Sequence, residues 1–168
     1  GTRVDGKDFF HDEKTVVRTV EFTGGQGFLL YGDYSGQASV SDGTVLVSRE
    51  NFKYSVTVSG GVKPRFYSSV LEALAGGEGS DTPAETGYGV WAYVLDAVPE
   101  SGGLNIAVAF DTRNASDEEV AALSRTPGAD CGGALDARTQ MWNGLLARVP
   151  RPGTFDIRTV DALGVTGD

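Results

Sequence analysis

From Thr15 to Val58 apolar and polar residues alternate in short runs separated by glycine turns, and that period of two dictates β-structure. Val16, Val20 and Phe22 share one strand face with Arg18, whose stem can cover apolar surface at an edge; Thr15, Val17, Thr19 and Glu21 share the other. Gly24-Gly25-Gln26-Gly27 and Ser35-Gly36 read as turns on either side of a second strand. Asp42-Gly43 is the strongest local signal. A two-residue hairpin turn needs positive φ at both central positions, which Asp and Gly tolerate, so residues 37–41 are expected to pair with 44–48.

Beyond that turn the apolar parity changes. Val45 and Val47 are odd-numbered, whereas Phe52, Tyr54, Val56 and Val58 are even-numbered. A period of two cannot absorb the shift, so Arg49-Glu50-Asn51 must hold a bulge or a tight reversal. Tyr88–Val98 is apolar on both faces, as in a central strand covered above and below. Leu104, Ile106, Val108 and Phe110 alternate again, and the two segments are expected to form a long hairpin.

Helices are expected near 64–75, 116–125 and 134–149. Pro64 suits a first helical turn, with Phe66, Val70, Leu71 and Leu74 at helical spacing. Ser116-Asp117-Glu118-Glu119 has the spacing of a capping box. Pro127-Gly128 is expected to lie outside the second helix, and Leu135, Trp142, Leu145, Leu146 and Val149 mark the third. The fold class is therefore α+β: a bent antiparallel sheet or small β-barrel with two to three packed helices. Residues 1–14 read as a flexible or peripheral N-terminal arm, 15–160 as a single β-rich domain, and 161–168 as a loose C-terminus. Phe155–Val160 is expected to return to the sheet.

A chain of 168 residues is long enough to bury roughly two-thirds of its unfolded surface. The net charge of −9 disfavours nucleic acid and anionic membrane as partners, because both attract positive fields. No apolar run approaches the roughly 18 residues of a spanning helix. The opening stretch Gly1–Asp8 is polar, so a soluble chain with no retained signal peptide is expected; its compartment stays open. Cys131 is the only cysteine, which rules out an intrachain disulfide.

Chemistry is thinly marked. His11-Asp12-Glu13 is the only place where imidazole and carboxylates adjoin, and no paired-histidine or paired-cysteine spacing accompanies it, so neither metal nor cofactor is expected. Cys131 before Gly132-Gly133 lacks the context of a nucleophile motif. The glycine clusters lack the lysine or the acid of a nucleotide loop. The weak ligand-binding candidates are Tyr31, Tyr34, Trp91 and Tyr93 as a wall, with Asp111 and Arg113 as polar groups just past a strand end. The leading expectation is a noncatalytic protein-interaction or assembly domain, with a protein partner or self-association through strand edges. The alternative is a small-molecule-binding β-domain or cofactor-free enzyme, holding a small apolar or carbohydrate ligand in an apolar cavity. Catalytic residues cannot be named from the sequence.

Overall fold

The described residues of the computed structural model are 3–23, 28–84, 87–95 and 101–148. Among these residues nine strands and three helices follow in chain order: β1 (Arg3–Phe10), β2 (Thr15–Thr23), β3 (Phe28–Ser35), β4 (Gln37–Ser41), β5 (Thr44–Ser48), β6 (Phe52–Val58), β7 (Pro64–Tyr67), α1 (Val70–Leu74), β8 (Tyr88–Leu95), β9 (Ser101–Thr112), α2 (Asp117–Ala129) and α3 (Cys131–Leu146). The strands form two antiparallel sheets, six-stranded β1-β2-β9-β6-β5-β4 and three-stranded β3-β8-β7. The fold is α+β, and among the described residues the two sheets form no closed barrel.

Local chemistry sets the hairpins. Asp42 and Gly43 take φ of 48° and 74°, and Ser41 pairs with Thr44 across them, as the Asp-Gly turn requires. The parity change after Val47 is a tight reversal: the Arg49 N–H bonds the Phe52 carbonyl at 2.8 Å, and Val47 pairs with Tyr54. Odd residues of β5 thus share a face with even residues of β6.

The expected hairpin between β8 and β9 is overturned. β8 pairs with β3 and β7, while β9 pairs with β2 and β6, so the two strands lie in different sheets. Alternation specifies which face a residue occupies but not which strand lies beside it. Trp91 and Tyr93 on β8 share one buried cluster with Ile106 and Leu104 on β9 and Val56 and Val58 on β6. The core sits between the sheets and is aromatic-rich, with Tyr34, Tyr54 and Phe66 in the same cluster.

Both faces of the large sheet's centre are covered. The even-numbered residues of β6 and β9 face the small sheet, and the odd-numbered Ser55, Thr57, Ala107 and Ala109 are buried on the other face, where α2 packs. Small side chains there let the helix approach closely. A Cβ on Gly128 would stand 3.2 Å from Thr57 Cγ2, so the helix seats where a side chain would push it off. Helix α2 accordingly continues through Pro127 and Gly128 to Ala129, past the expected stop. Its start is the expected capping box, with Ser116 accepting from the Glu119 N–H and Glu119 bonding back to the Ser116 N–H.

Three further segments differ from the sequence reading. Pro64–Tyr67 is a strand, and α1 holds only five residues. The 1–14 stretch carries the edge strand β1, because Asp8, Phe9 and Phe10 find register with Arg18, Val17 and Val16. The third helix begins at Cys131, whose side chain packs with Val17 and Ala107. The expected strand 155–160 and the tail 161–168 lie outside the described residues. The chain divides into two compact units, Gly1–Leu135 and Asp136–Asp168. In the second, the Arg138 guanidinium lies 5.4 Å from the Trp142 ring centroid, one helical turn away.

Three strands cannot cover six. Val4 and Phe10 on β1, and Phe52 and Phe110 at one end of β6 and β9, point to the inner face of the large sheet yet stay exposed. At the centre, packing leaves no slack. A Cβ on Gly32 would sit on the Trp91 six-membered ring, whereas one on Gly6 would meet only the Thr19 carbonyl oxygen at 3.7 Å. Denaturant unfolding should show Gly32→Ala destabilised by about 1–3 kcal/mol through overpacking. Trp91→Ala should cost about 3–5 kcal/mol through the cavity it leaves, and Gly6→Ala should stay near the wild-type midpoint.

Candidate functional site

The aromatic core carries its polar atoms in closed networks. Trp91 Nε1–H donates to Tyr54 Oη at 3.1 Å, and Tyr54 Oη–H donates to the Asp33 carbonyl at 3.0 Å. The Arg49 guanidinium stands 5.9 Å from the Tyr54 ring centroid, and its Nη2 lies 3.5 Å from the Asp33 carboxylate. Burial pushes the Tyr54 phenol above its ordinary pKa. Tyr93 Oη lies 2.7 Å from both the Gly43 and Val56 carbonyls and accepts from the Val45 N–H at 3.3 Å. Its one proton serves either carbonyl, which ties the β4–β5 turn to β6 and β8, and burial raises this phenol as well. Tyr34 Oη accepts from the Ala84 N–H at 2.9 Å, and its ring meets Phe66 edge-on at 5.7 Å.

A second polar layer lies between the large sheet and α2. Ser55 Oγ is 2.6 Å from the Val120 carbonyl and 2.8 Å from Ser124 Oγ. Thr57 Oγ1 stands 2.9 Å from both Ser124 Oγ and Thr44 Oγ1, so four buried hydroxyls form one row. They satisfy one another where α2 crosses the strands, and Ser124 is the link that all but Thr44 touch.

The six ligand candidates therefore do not converge. Tyr34, Trp91 and Tyr93 fill the space between the sheets. Tyr31 lies on the opposite, outward face of the small sheet, beside Ala92. Asp111 is an odd-numbered residue of β9 and so faces the α2 side. Its carboxylate accepts the Thr112 N–H at 2.7 Å and a Lys14 ammonium hydrogen at 3.0 Å, which together hold it below the usual carboxylate range. Arg113 Nη1 donates to the Glu50 carbonyl at 3.1 Å on the rim of an open cleft shared with Arg49, Asn51 and Phe52.

The remaining reactive groups are tied to structure. Asp12 accepts the Lys14 N–H at 2.7 Å within the β1–β2 turn. The Cys131 thiol is buried, and desolvation raises its pKa away from the thiolate range. Among the described residues no three His, Cys, Asp or Glu side chains stand close enough to share a metal ion. A cleft of about 800 Å³, open to solvent, lies between the β4–β5 and β6–β7 turns and the end of α2. Lys63, Asp42, Asp81 and Arg125 line it; Arg125 Nη1 pairs with Glu118 at 3.1 Å, while its Nε and Nη2 are sealed from solvent.

Exposed apolar side chains also gather on the outer face of the small sheet with α1. Val70 and Ala73 turn inward onto Tyr67, Val90 and Ala92. Leu71 and Leu74 consequently point away, 76% and 64% exposed, and Tyr31 and Tyr88 on the same face are 51% and 60% exposed. Leu29 and Val94 fill the half-buried ground beside them. In sequence Leu71 and Leu74 share helical spacing with Val70. A helix of five residues has one buried stripe, and Val70 and Ala73 take it. No known protein family matches the chain, and no curated protein resembles it in sequence.

Two measurements check this geometry. Ser124→Ala should lower stability by about 1–3 kcal/mol, because Ser55 and Thr57 lose a buried partner. Asp111 should titrate below the ordinary value of about 3.9 in a carbon-detected NMR titration, and Lys14→Ala should move it upward. The sign follows from a folded-state pKa below the unfolded one. The stabilisation from Asp111 is complete above the unfolded pKa and is lost as pH falls through the folded value.

Proposed function

We propose that this chain is a noncatalytic protein-interaction domain that presents the outer face of its small sheet to a protein partner. The observation that carries the reading is the joint exposure of Tyr31, Tyr88, Leu71 and Leu74 on one face. Large apolar side chains gathered on a rigid sheet and helix surface supply contact area at low entropic cost, and Tyr is enriched where interfaces concentrate their energy. The free edge of β3 borders the same face among the described strands, so a partner segment lying along it would gain main-chain hydrogen bonds and contacts to Leu29 and Tyr31.

Two features favour this over ligand chemistry in a cavity. The aromatic residues that would form a pocket wall are packed against one another, with Trp91 and Tyr93 edge-on at 6.1 Å. The carboxylates and hydroxyls near strand ends are engaged in structural pairs, as Asp111 is with Lys14 and Ser55 with Ser124. The alternative, a small apolar or carbohydrate ligand, has the open cleft beside Lys63 and Arg125 to support it.

Photo-crosslinking from benzoylphenylalanine at position 31 or 74 in the producing cell should capture one defined protein, and the same probe at Thr19 should not. The purified partner should then bind the wild-type chain, and Leu71→Asp should weaken that affinity about tenfold or more without lowering the unfolding midpoint. Absence of a specific adduct from either position, or an affinity indifferent to Leu71→Asp, overturns the proposal.

A further inference from the structure

Strand β1 closes one side of the large sheet, and among the described residues no strand pairs with its outer edge. Its hydrogen-bonding parity can be read from the turn beside it. The His11 N–H bonds the Thr15 carbonyl, and the register continues as Phe9 with Val17, Lys7 with Thr19, Asp5 with Glu21. In an antiparallel ladder alternate residues exchange bonds with a given neighbour. The odd-numbered residues of β1 therefore face β2, and the N–H and C=O groups of Val4, Gly6, Asp8 and Phe10 point outward.

Gly6, at the middle of this row, has no explanation inside the chain. Its φ is not positive, since it is absent from the residues with left-handed backbone. Nor is space short, because a Cβ there would have only one neighbour, in ordinary contact at 3.7 Å. Glycine within a strand weakens it, and a recurrent reason for its presence is the close approach of another backbone. The charges flanking it, Asp5 and Lys7, are of opposite sign. Lys7 makes no ion pair among the described residues, and Asp5 reaches only the exposed Arg3 at 2.7 Å.

We infer that β1 pairs with β1 of a second copy of this chain, antiparallel about a two-fold axis through Gly6. Gly6 then lies opposite Gly6 of the second copy as a hydrogen-bonded pair, using the two outward groups of each. Asp5 falls opposite Lys7 of the second copy, and Lys7 opposite its Asp5, in the non-hydrogen-bonded pairs, where side chains stand closest. A two-fold contact repeats each interaction, so both ion pairs form. Outward-facing residues must meet outward-facing residues, so the register can slide only in steps of two. Sliding one step one way puts Asp5 on Asp5 and Arg3 on Lys7. Sliding the other way puts Lys7 on Lys7. Charge on an edge strand usually prevents pairing; here its arrangement forbids the neighbouring registers and favours one. The small-sheet face takes no part, so this inference and the proposed function stand or fall separately.

Sedimentation velocity of the full chain at low ionic strength should show a concentration-dependent dimer that weakens as salt is added. Lys7→Glu and Asp5→Lys each turn two attractive pairs into repulsive ones and should weaken dimerisation about ten- to a hundredfold. Mixing the two variants in equal amounts should restore a heterodimer. The Asp5 kept by one variant then meets the Lys7 kept by the other, and the two introduced side chains, glutamate and lysine, face each other with opposite charge. Gly6→Pro, which removes an outward N–H, should abolish pairing, with circular dichroism reporting on its fold. A wild-type chain that stays monomeric at high micromolar concentration overturns the inference. So does a dimer indifferent to both charge reversals, or singly reversed variants that fail to pair when mixed.

Discussion

The structure depends on a layer of aromatic side chains buried between two sheets with their polar tips satisfied. Trp91, Tyr93, Tyr34 and Tyr54 supply the bulk of that layer, and each would cost several kcal/mol if its N–H or O–H were buried unpaired. Trp91 donates to the Tyr54 hydroxyl, and the tyrosines' partners are backbone carbonyls and amides of turns and strands: Asp33, Gly43, Val45, Val56 and Ala84. The same contacts that fill the core therefore also fix the β4–β5 turn, the end of β3 and the loop before β8. Glycine at position 32 is the counterpart of this packing, as it leaves room for the indole that lies across it.

The other face of the large sheet is solved with different chemistry. Serine, threonine and alanine replace the aromatics, and α2 comes close enough for its own Ser124 to join a row of hydroxyls. Small residues permit the approach, and mutual hydrogen bonding removes the cost of burying their oxygens. The central strands β6 and β9 are thereby enclosed on both sides, one side by dispersion and aromatic contacts, the other by polar matching. The enclosure stops where the covering layers stop. A three-stranded sheet leaves the margins of a six-stranded one in solvent, and a five-residue helix leaves part of the small sheet's outer face open.

Those uncovered regions shape the functional reading. Asp12, Lys14, Asp111 and Glu119 are engaged in turns, caps and ion pairs, and Cys131 is buried. What is exposed among the described residues is contact area: leucines and tyrosines on one face, and on the other sheet a strand edge that no described strand pairs. Both suit recognition of protein by protein, and they do so by different physics. As proposed interfaces, the face would act by excluding water from apolar surface, whereas the edge would act by directional hydrogen bonds with charge setting the register.

How much of this was legible in the sequence varies with the range of the interaction. The Asp42-Gly43 hairpin, the reversal after Val47 and the Ser116 capping box were readable, because each depends on residues within a few positions of one another. Neither the partners of β8 and β9 nor the fate of the candidate site was readable. Trp91 and Ile106 alternate in their strands identically whether those strands lie side by side or stacked in separate sheets, and only the meeting of distant segments decides. Helical spacing groups Val70, Leu71 and Leu74 without saying which of them is buried, and Val70 and Ala73 take the one buried stripe. Pro127 read as a stop until close seating on Thr57 and Ala107 kept the last turn helical. By itself the sequence determined the strands from Thr15 to Val58, the Asp42-Gly43 turn, the Ser116 cap and the two-faced patterning of those strands, all local consequences of backbone sterics and short-range hydrogen bonding. The tertiary structure alone decided which apolar faces met each other and which were left to solvent, because burial is a competition among all faces of the chain at once.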